Sequence, residues 1–298
     1  MGNFKYIFIA AFAFILVGVS SLFYLNSQSS TVQSFEDIQA RALQGNPKAQ
    51  YKLALNYAKG IGVNRNNDEA KKWFLKAAEG GHAAAQYDLG LLYYKGNLFQ
   101  QNDSKALTWF LKAANQGHEK AQYNSAVVYY KSKHVQDYAE AAKWYQRAAE
   151  QGVMEAQYNT AFMYLKGQGV EKNGMKAEKW FRKSAEQGFV RSYYNLGIMH
   201  HHGNGIARDH VEAVKWYLLS AEEGYAEGQY NLGAMYAVGE GVQKDLVQSY
   251  KWTSMAAGQG YQKAKNKMER FTKLMTAEQI NEAKKRADLC HRKNYKSC

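Results

Sequence analysis

The sequence is almost free of proline and cysteine, and both shortages restrict what the chain can be. Pro47 is the only proline among 298 residues, which favours helices because helix interiors tolerate proline least of all residues. Both cysteines, Cys290 and Cys298, lie close to the C-terminus. In an oxidising compartment they could close a small loop, so we predict a disulfide between them.

Charge is absent from a long N-terminal stretch. Residues 7–25 hold no charged side chain and follow Lys5; as a helix they would span about 28 Å at roughly 1.5 Å per residue. We predict an uncleaved membrane anchor over residues 1–25, with cleavage near Val19 as the alternative. Lys5 would stay on the cytoplasmic side. With a bacterial source, the chain is then a single-pass inner-membrane protein facing the periplasm, or is secreted there after cleavage.

The formal net charge is +13, and more than half of that excess lies near the C-terminus. From residue 263 to residue 298 there are eleven Lys or Arg and four Asp or Glu, a net charge of +7. A basic tail fits nucleic acid, anionic lipid or an acidic protein, whereas the alternative is a solvated helix end. A domain that faces outward from the cytoplasm would not meet nucleic acid, so none is expected as a partner.

Aromatic residues recur with a period of about 36 residues. The tripeptide Ala-Gln-Tyr or a variant of it occurs six times, and every tryptophan of the chain falls on one register. The repeat tyrosines are Tyr51, Tyr87, Tyr123, Tyr158, Tyr194 and Tyr230, and the tryptophans are Trp73, Trp109, Trp144, Trp180, Trp216 and Trp252. A fixed period of this length is typical of a repeat architecture.

Each repeat reads as two helices. Apolar residues recur at i, i+3, i+4 and i+7 in both halves, the pattern of a helix with one buried side. The turn inside the hairpin has the form Gly-x-Gly-[Val/Ile], as in Gly60–Val63. The second helix ends at a glycine, which suits the left-handed position that closes a helix. Those glycines are Gly81, Gly117, Gly152, Gly188, Gly224 and Gly260.

The combination of Ala-x-Tyr-Asn-Leu-Gly, the Gly-x-Gly-Val turn and Ala-x-x-Trp-[Tyr/Phe]-x-x-Ala-Ala resembles the Sel1-like repeat, a relative of the tetratricopeptide repeat. The resemblance covers roughly residues 35 to 289 and implies an all-α fold, a right-handed α-solenoid of helical hairpins. Repeat two lacks the second turn glycine, and repeat three is one residue short at Ser132–Val135. We expect irregular stacking in these two repeats.

The ends of the array read as caps. Phe35–Gly45 resembles a second helix without its first, and Tyr261–Phe271 resembles a first helix whose partner is replaced. Thr276 and Gln279 fit a capping box that opens a polar helix through about Leu289. The predicted organisation is an anchor over 1–25, a polar linker over 26–34, a solenoid of six full repeats plus partial caps over 35–271, and a capping helix with a basic tail over 272–298.

The first helix of each repeat divides into two arcs when the repeat tyrosine is taken as position zero. Positions +2, +3 and +6 are predicted to pack against other helices, and positions zero, +4, +7 and +8 lie on the opposite arc. The resemblance implies that this second arc lines a concave surface. Its predicted partner-binding residues are Tyr87, Tyr94, Lys95, Tyr123, Tyr130, Lys131, Tyr158, Lys166, Tyr194, His201 and His202.

Tyrosines beside lysines would suit an acidic peptide or a C-terminal carboxylate. The alternative is that the tyrosines only pack between hairpins and the lysines are only solvated. His200–His202 cannot converge on one metal, because consecutive helical residues point about 100° apart. No metal and no cofactor is expected.

The resulting hypothesis is a membrane-tethered scaffold or adaptor for a protein or peptide partner, without enzymatic activity. Some Sel1-like proteins act as immunity proteins against secreted effectors, which makes a periplasmic inhibitor the first alternative. Others, with cysteine pairs in every repeat, are described as β-lactam-binding or cell-wall enzymes. This chain has no cysteine in any repeat and no paired nucleophile and base, which argues against that second alternative.

Overall fold

A computed structural model describes residues 35–296, and within that range the chain is all α-helix. The predicted anchor, the polar linker and Cys298 lie outside the described residues. None of the helices described is both long enough and apolar enough to cross a membrane. After α1 (35–43), the helices are α2 Pro47–Lys59, α3 Asn67–Glu79, α4 Ala83–Lys95, α5 Asp103–Asn115, α6 Glu119–Lys131, α7 Tyr138–Glu150, α8 Met154–Lys166, α9 Gly174–Glu186, α10 Val190–His202, α11 His210–Glu222, α12 Ala226–Val238, α13 Leu246–Gly258, α14 Gln262–Leu274 and α15 Ala277–Arg292.

The helices pack as successive hairpins, as the period predicts. Helix α2 packs on α3, α4 on α5, α8 on α9, α10 on α11 and α12 on α13. The second helix of one hairpin then packs on the first helix of the next, as α3 does on α4 and α9 does on α10. The predicted all-α repeat solenoid is confirmed.

The chain divides into two compact units. In the described range, the first unit holds residues 35–125 and 132–135, and the second holds 126–131 and 136–296. The division falls inside α6 and the turn after it. This is the third repeat, the one whose turn is a residue short.

The glutamine that recurs in the Ala-Gln-Tyr motif joins neighbouring helices. Gln86 is buried, and its side-chain amide donates to the carbonyl of Ala78 at 2.9 Å, near the end of the preceding helix. The carbonyl of Ala78 also accepts the backbone N–H of Gly81 at 3.1 Å, so the glutamine uses the second lone pair of this oxygen and joins the end of one helix to the start of the next. The same bond is made by Gln50, Gln122, Gln157 and Gln229.

The predicted packing positions are mostly buried. Positions +2 and +3 are buried in repeat after repeat, as Leu196 and Gly197 show. Position +6 is only half-buried at Tyr93. Position +5 is also buried in the later repeats, at Met163, Met199 and Met235. It lies about 60° outside the predicted arc, so the helix contacts its neighbours over a wider arc than the one assigned.

The second glycine of the turn permits a close approach between repeats. Gly169 has φ +69°, and a Cβ at this position would overlap the carbonyl oxygen of Tyr138, the first residue of α7. Gly241, with φ +68°, approaches the carbonyl of His210 at the start of α11 in the same way. Only glycine fits here, because the backbone is left-handed and the neighbouring atom belongs to a main chain.

Both predicted caps form helices. Residues 35–43 are helical, and the carbonyl of Ala42 accepts from Gln50 as Ala78 does from Gln86. At the other end, Thr276 and Gln279 form both bonds of the predicted capping box. Helix α15 continues to Arg292, three residues beyond the predicted end, and packs on α13 through buried Ala283 and Cys290.

Cys290 is buried and in the disulfide-bonded form. The chain's other cysteine, Cys298, lies outside the described residues. The bond between the two therefore stays a prediction.

Lys251 is a lysine buried in α13, with 1% of its surface exposed. Its Nζ lies 4.2 Å from the ring centroid of Trp252 and 3.4 Å from Oε1 of Gln248. Burial, with a contribution from Arg286, lowers the pKa of Lys251 to about 8. The folded state therefore disfavours the charged amine that the unfolded chain carries up to about pH 10.

Replacing Lys251 by methionine is expected to stabilise the protein at pH 7 by on the order of 2 kcal/mol, because the cost of burying the charge disappears. In the wild type, the unfolded state binds more protons than the folded state between pH 8 and pH 10.5, so wild-type stability rises across this window. The advantage of the variant should shrink accordingly. Urea unfolding at pH 7 and pH 10 measures both effects; an equal gain at both pH values would contradict the assignment. Lys179→Met, at an exposed position, is the control.

Candidate partner-binding surface

The repeat tyrosines are half-buried, and within each unit they pack against the next repeat. The ring of Tyr87 stacks on that of His118, with ring centroids 4.6 Å apart, and His118 lies just before α6. The rings of Tyr158 and Phe189 meet edge to face at 5.0 Å, and those of Tyr194 and Tyr225 at 5.3 Å. Burial raises the pKa of Tyr87, Tyr158 and Tyr194, and that of Tyr194 rises to about 12.

The tyrosine hydroxyls also bond to the next repeat. The hydroxyl of Tyr51 donates to Asp88 at 2.7 Å, whereas the hydroxyl of Tyr158 accepts from the amide of Asn195 at 3.4 Å. Each partner is the residue that follows the next repeat tyrosine. The tyrosine row thus contributes to packing between hairpins, while part of each ring stays accessible.

The tyrosines predicted at position +7 lie beside this row. Tyr94 is half-buried and meets Phe110 edge to face, with ring centroids 6.4 Å apart. Tyr130 contacts Tyr138 at 5.3 Å and Tyr145 at 6.4 Å, and its hydroxyl donates to Gln168 at 3.2 Å.

The lysines at position +8 are exposed and end the first helices of four repeats. Lys59 and Lys95 belong to the first unit, and Lys131 and Lys166 to the second. A cation in the last turn is favoured by the helix dipole. The row loses its basic character later, where His202 and Val238 occupy the position.

The rings of His201 and His202 stack at the end of α10, with centroids 4.4 Å apart, so these two lie closer together than their spacing predicts. His200 is buried, with Nε2 3.3 Å from Glu178 on α9. His201 lies 3.2 Å from Glu240 in the next repeat, and burial lowers its pKa. Only His202 is exposed. Between residues 35 and 296, no three His, Cys, Asp or Glu side chains are placed to hold a metal ion.

The second unit also holds a pocket that the sequence did not indicate. Its volume is about 160 Å³, and we call it the aromatic pocket; it is lined by Tyr130, Tyr145, Tyr158, Asn159, Phe162 and Met163. Tyr130 and Tyr158 were predicted to bind a partner, and the structure brings them together here. Phe162 is at position +4, which belongs to the same predicted arc as Tyr130 and Tyr158. Its position in the repeat could therefore have identified it as a pocket residue. Tyr145 comes from the second helix of the hairpin, which the arc did not include.

We call Tyr130 and Tyr158, which share the pocket, and the lysines that end their helices, Lys131 and Lys166, the aromatic–basic patch of the second unit. Lys166 Nζ lies 5.7 Å from the ring centroid of Phe162, at the aromatic pocket. Apolar rings beside free ammonium groups can bury a side chain and attract a carboxylate.

The Sel1 repeat matches six consecutive segments, residues 47–82, 83–118, 119–153, 155–189, 190–225 and 226–261. This chain belongs to the Sel1 repeat family. The six segments agree with the six hairpins, and each Sel1 repeat begins at or next to a first helix. Sel1 repeat proteins generally mediate protein–protein interactions, and the fold is typically a non-enzymatic scaffold.

Two solved Sel1 repeat structures are similar to the chain. A protective antigen of uropathogenic Escherichia coli with an SLR fold is 36% identical, with a TM-score of 0.73; the match covers 84% of this chain and 54% of the antigen, about half its length. A Sel1 repeat protein from Oxalobacter formigenes is 33% identical over 81% of this chain and 95% of its own, with a TM-score of 0.59.

An immunity protein from Pseudomonas aeruginosa is 18% identical over 72% of this chain and 83% of its own, with a TM-score of 0.39. A likeness at that level carries no argument about function. No curated protein matches the chain.

Proposed function

We propose that this chain is a membrane-tethered adaptor that holds a protein partner against the aromatic–basic patch of its second unit. The observation that carries the proposal is the pairing of half-buried rings, Tyr130 and Tyr158, with exposed lysines, Lys131 and Lys166, on the same two helices. The rings offer rigid contact area at low entropic cost.

The partner we propose is acidic. Within residues 35–296, neither Lys131 nor Lys166 takes part in an ion pair. Their charges are therefore available to a partner, and the formal net charge of +13 adds a long-range attraction for an acidic protein.

The tether and the compartment rest on the sequence of residues 7–25, whose length and lack of charge suit a membrane span. With Lys5 on the cytoplasmic side, the repeats would face the periplasm. Holding a binding unit at the membrane raises the local concentration of its partner there, which is the use of an adaptor.

Cross-linking in intact bacterial cells tests partner and compartment together. The full chain carries a C-terminal affinity tag, and the amine-reactive cross-linker crosses the outer membrane but not the inner one. We expect one or a few resident envelope proteins, acidic in composition, to be captured after detergent solubilisation.

Capture only with a cross-linker that enters the cytoplasm would overturn the proposed orientation. Equal capture by a chain with Lys131→Glu and Lys166→Glu would overturn the proposed surface. A single secreted effector as the captured protein would replace the adaptor with the inhibitor.

A further inference from the structure

We infer that the aromatic pocket binds one phenylalanine- or leucine-sized side chain of a partner peptide, with a carboxylate beside it that pairs with Lys166. This inference deepens the proposed function and rests on it for the nature of the partner. It adds a defined subsite and a chemical class of ligand.

The size of the pocket limits its occupant. A volume of about 160 Å³ compares with the roughly 150 Å³ apolar cavity that accommodates a benzene molecule. One phenyl ring or one leucine side chain therefore fills it, while a nucleotide or a multi-ring ligand exceeds it. A single anchoring side chain in a pocket is the usual centre of a peptide-binding surface.

The walls are held by contacts outside the pocket, so the pocket exists before a ligand arrives. The ring of Tyr158 is packed edge to face against Phe181 at 5.5 Å, and its hydroxyl is bonded to Asn195. The hydroxyl of Tyr130 is bonded to Gln168. Tyr145 and Met163 are almost fully buried and form a rigid apolar base. Binding to a preformed pocket avoids most of the cost of ordering side chains.

Asn159 gives the pocket a polar group suited to a peptide. At the equivalent positions of other repeats, Asn124 donates to Tyr87 and Asn195 donates to Tyr158. In the part of the chain that the structure describes, the Asn159 amide makes no such bond. It keeps both a donor and an acceptor, which match the carbonyl and N–H of a peptide backbone. This favours a peptide over a hydrocarbon chain.

The ammonium group of Lys166 favours a ligand with a negative charge next to its anchoring side chain. Its Nζ lies 5.7 Å from the ring centroid of Phe162, which lines the pocket, and no acidic residue lines the pocket. A carboxylate beside the anchor, from a neighbouring Asp or Glu or from a C-terminus, would meet this exposed ammonium group, where an ion pair adds a modest attraction.

The test uses the full chain in one detergent and N-acetylphenylalanine as the probe, observed by saturation-transfer NMR. A ligand of this size in a preformed pocket should bind with a Kd on the order of 1 mM. We expect N-acetylphenylalanine amide, which lacks the carboxylate, to bind at least about threefold more weakly. N-acetylglycine, which lacks the side chain, should give no signal.

Asn159→Trp should fill the pocket and remove binding of the probe, whereas Lys179→Trp, at an exposed site, should not. If Asn159→Trp shows no cooperative thermal transition, Asn159→Leu replaces it and should weaken binding at least about threefold, since only the amide is lost. Wild-type affinity in a folded pocket variant overturns the inference, and so does equal binding of the glycine or amide compound. The probe needs no partner protein, so probe binding without any partner capture would sink the proposed function and leave the pocket standing.

Discussion

Replacing both Lys131 and Lys166 by glutamate is expected to weaken binding of the captured partner at least about tenfold. Each change replaces an attraction for an acidic partner with a repulsion, and like charges facing each other across an interface are costly. Binding by the wild type should also weaken as ionic strength rises, because exposed charges are screened. Titration of the purified partner by isothermal calorimetry at two salt concentrations measures both effects.

The matched control reverses Lys179 and Lys265, two exposed lysines of the same unit that lie on α9 and α14 and not on the helices of the patch. It changes the net charge by the same amount and should leave affinity within about twofold. Both patch lysines lie in the last turn of a helix, so glutamate there opposes the helix dipole and costs up to about 1 kcal/mol each. Thermal melting should therefore fall by only a few degrees. Equal weakening by the two double variants would mean that net charge, and not the patch, attracts the partner.

Changing Gly169 or Gly241 to alanine should destabilise the protein by roughly 3 kcal/mol. An alanine in left-handed backbone costs about 1–2 kcal/mol, and overlap with the main-chain carbonyl of Tyr138 or His210 adds about 1–3 kcal/mol, because no side chain can rotate away. For a domain of this size that corresponds to a fall of about 6–12 °C in melting temperature. Differential scanning calorimetry or circular dichroism measures it.

Gly258→Ala is the control for these two variants. Gly258 is the last residue of α13, its φ is not left-handed, and a Cβ there would meet no atom within 4 Å. Alanine should be neutral or stabilising by up to about 1 kcal/mol, since it is the better helix former. If all three variants melt at the same temperature, the close approach at the second turn glycine has no energetic role.

The sequence predicts the local structure of this protein well because the same residue pattern recurs in successive repeats. The period places the helices, the left-handed glycines mark their ends, and Thr276 with Gln279 opens the last helix where the capping box predicts. These features depend on residues a few positions apart, which a single sequence displays directly.

Contacts between helices were harder to predict. The burial of Met199 at position +5 depends on how much of the surface of α10 the neighbouring helix covers. The sequence of α10 alone does not determine this. The sequence predicts that Lys251 is exposed like the other basic residues beside the repeat tryptophans. The packing of α15 on α13 buries it instead. The aromatic pocket joins Tyr145 of one helix to Phe162 of another, so neither helix alone indicates it.

The bonds from Tyr51, Tyr87 and Tyr158 to the following repeat all join residues 37 positions apart. Their sequence separation is set by the length of one repeat and not by the length of the chain. An array of this kind therefore keeps the same mean sequence separation of contacts when a repeat is added or lost, and its folding should not slow as a larger globular domain would. Whole repeats can therefore be gained or lost during evolution without slowing the folding of the chain.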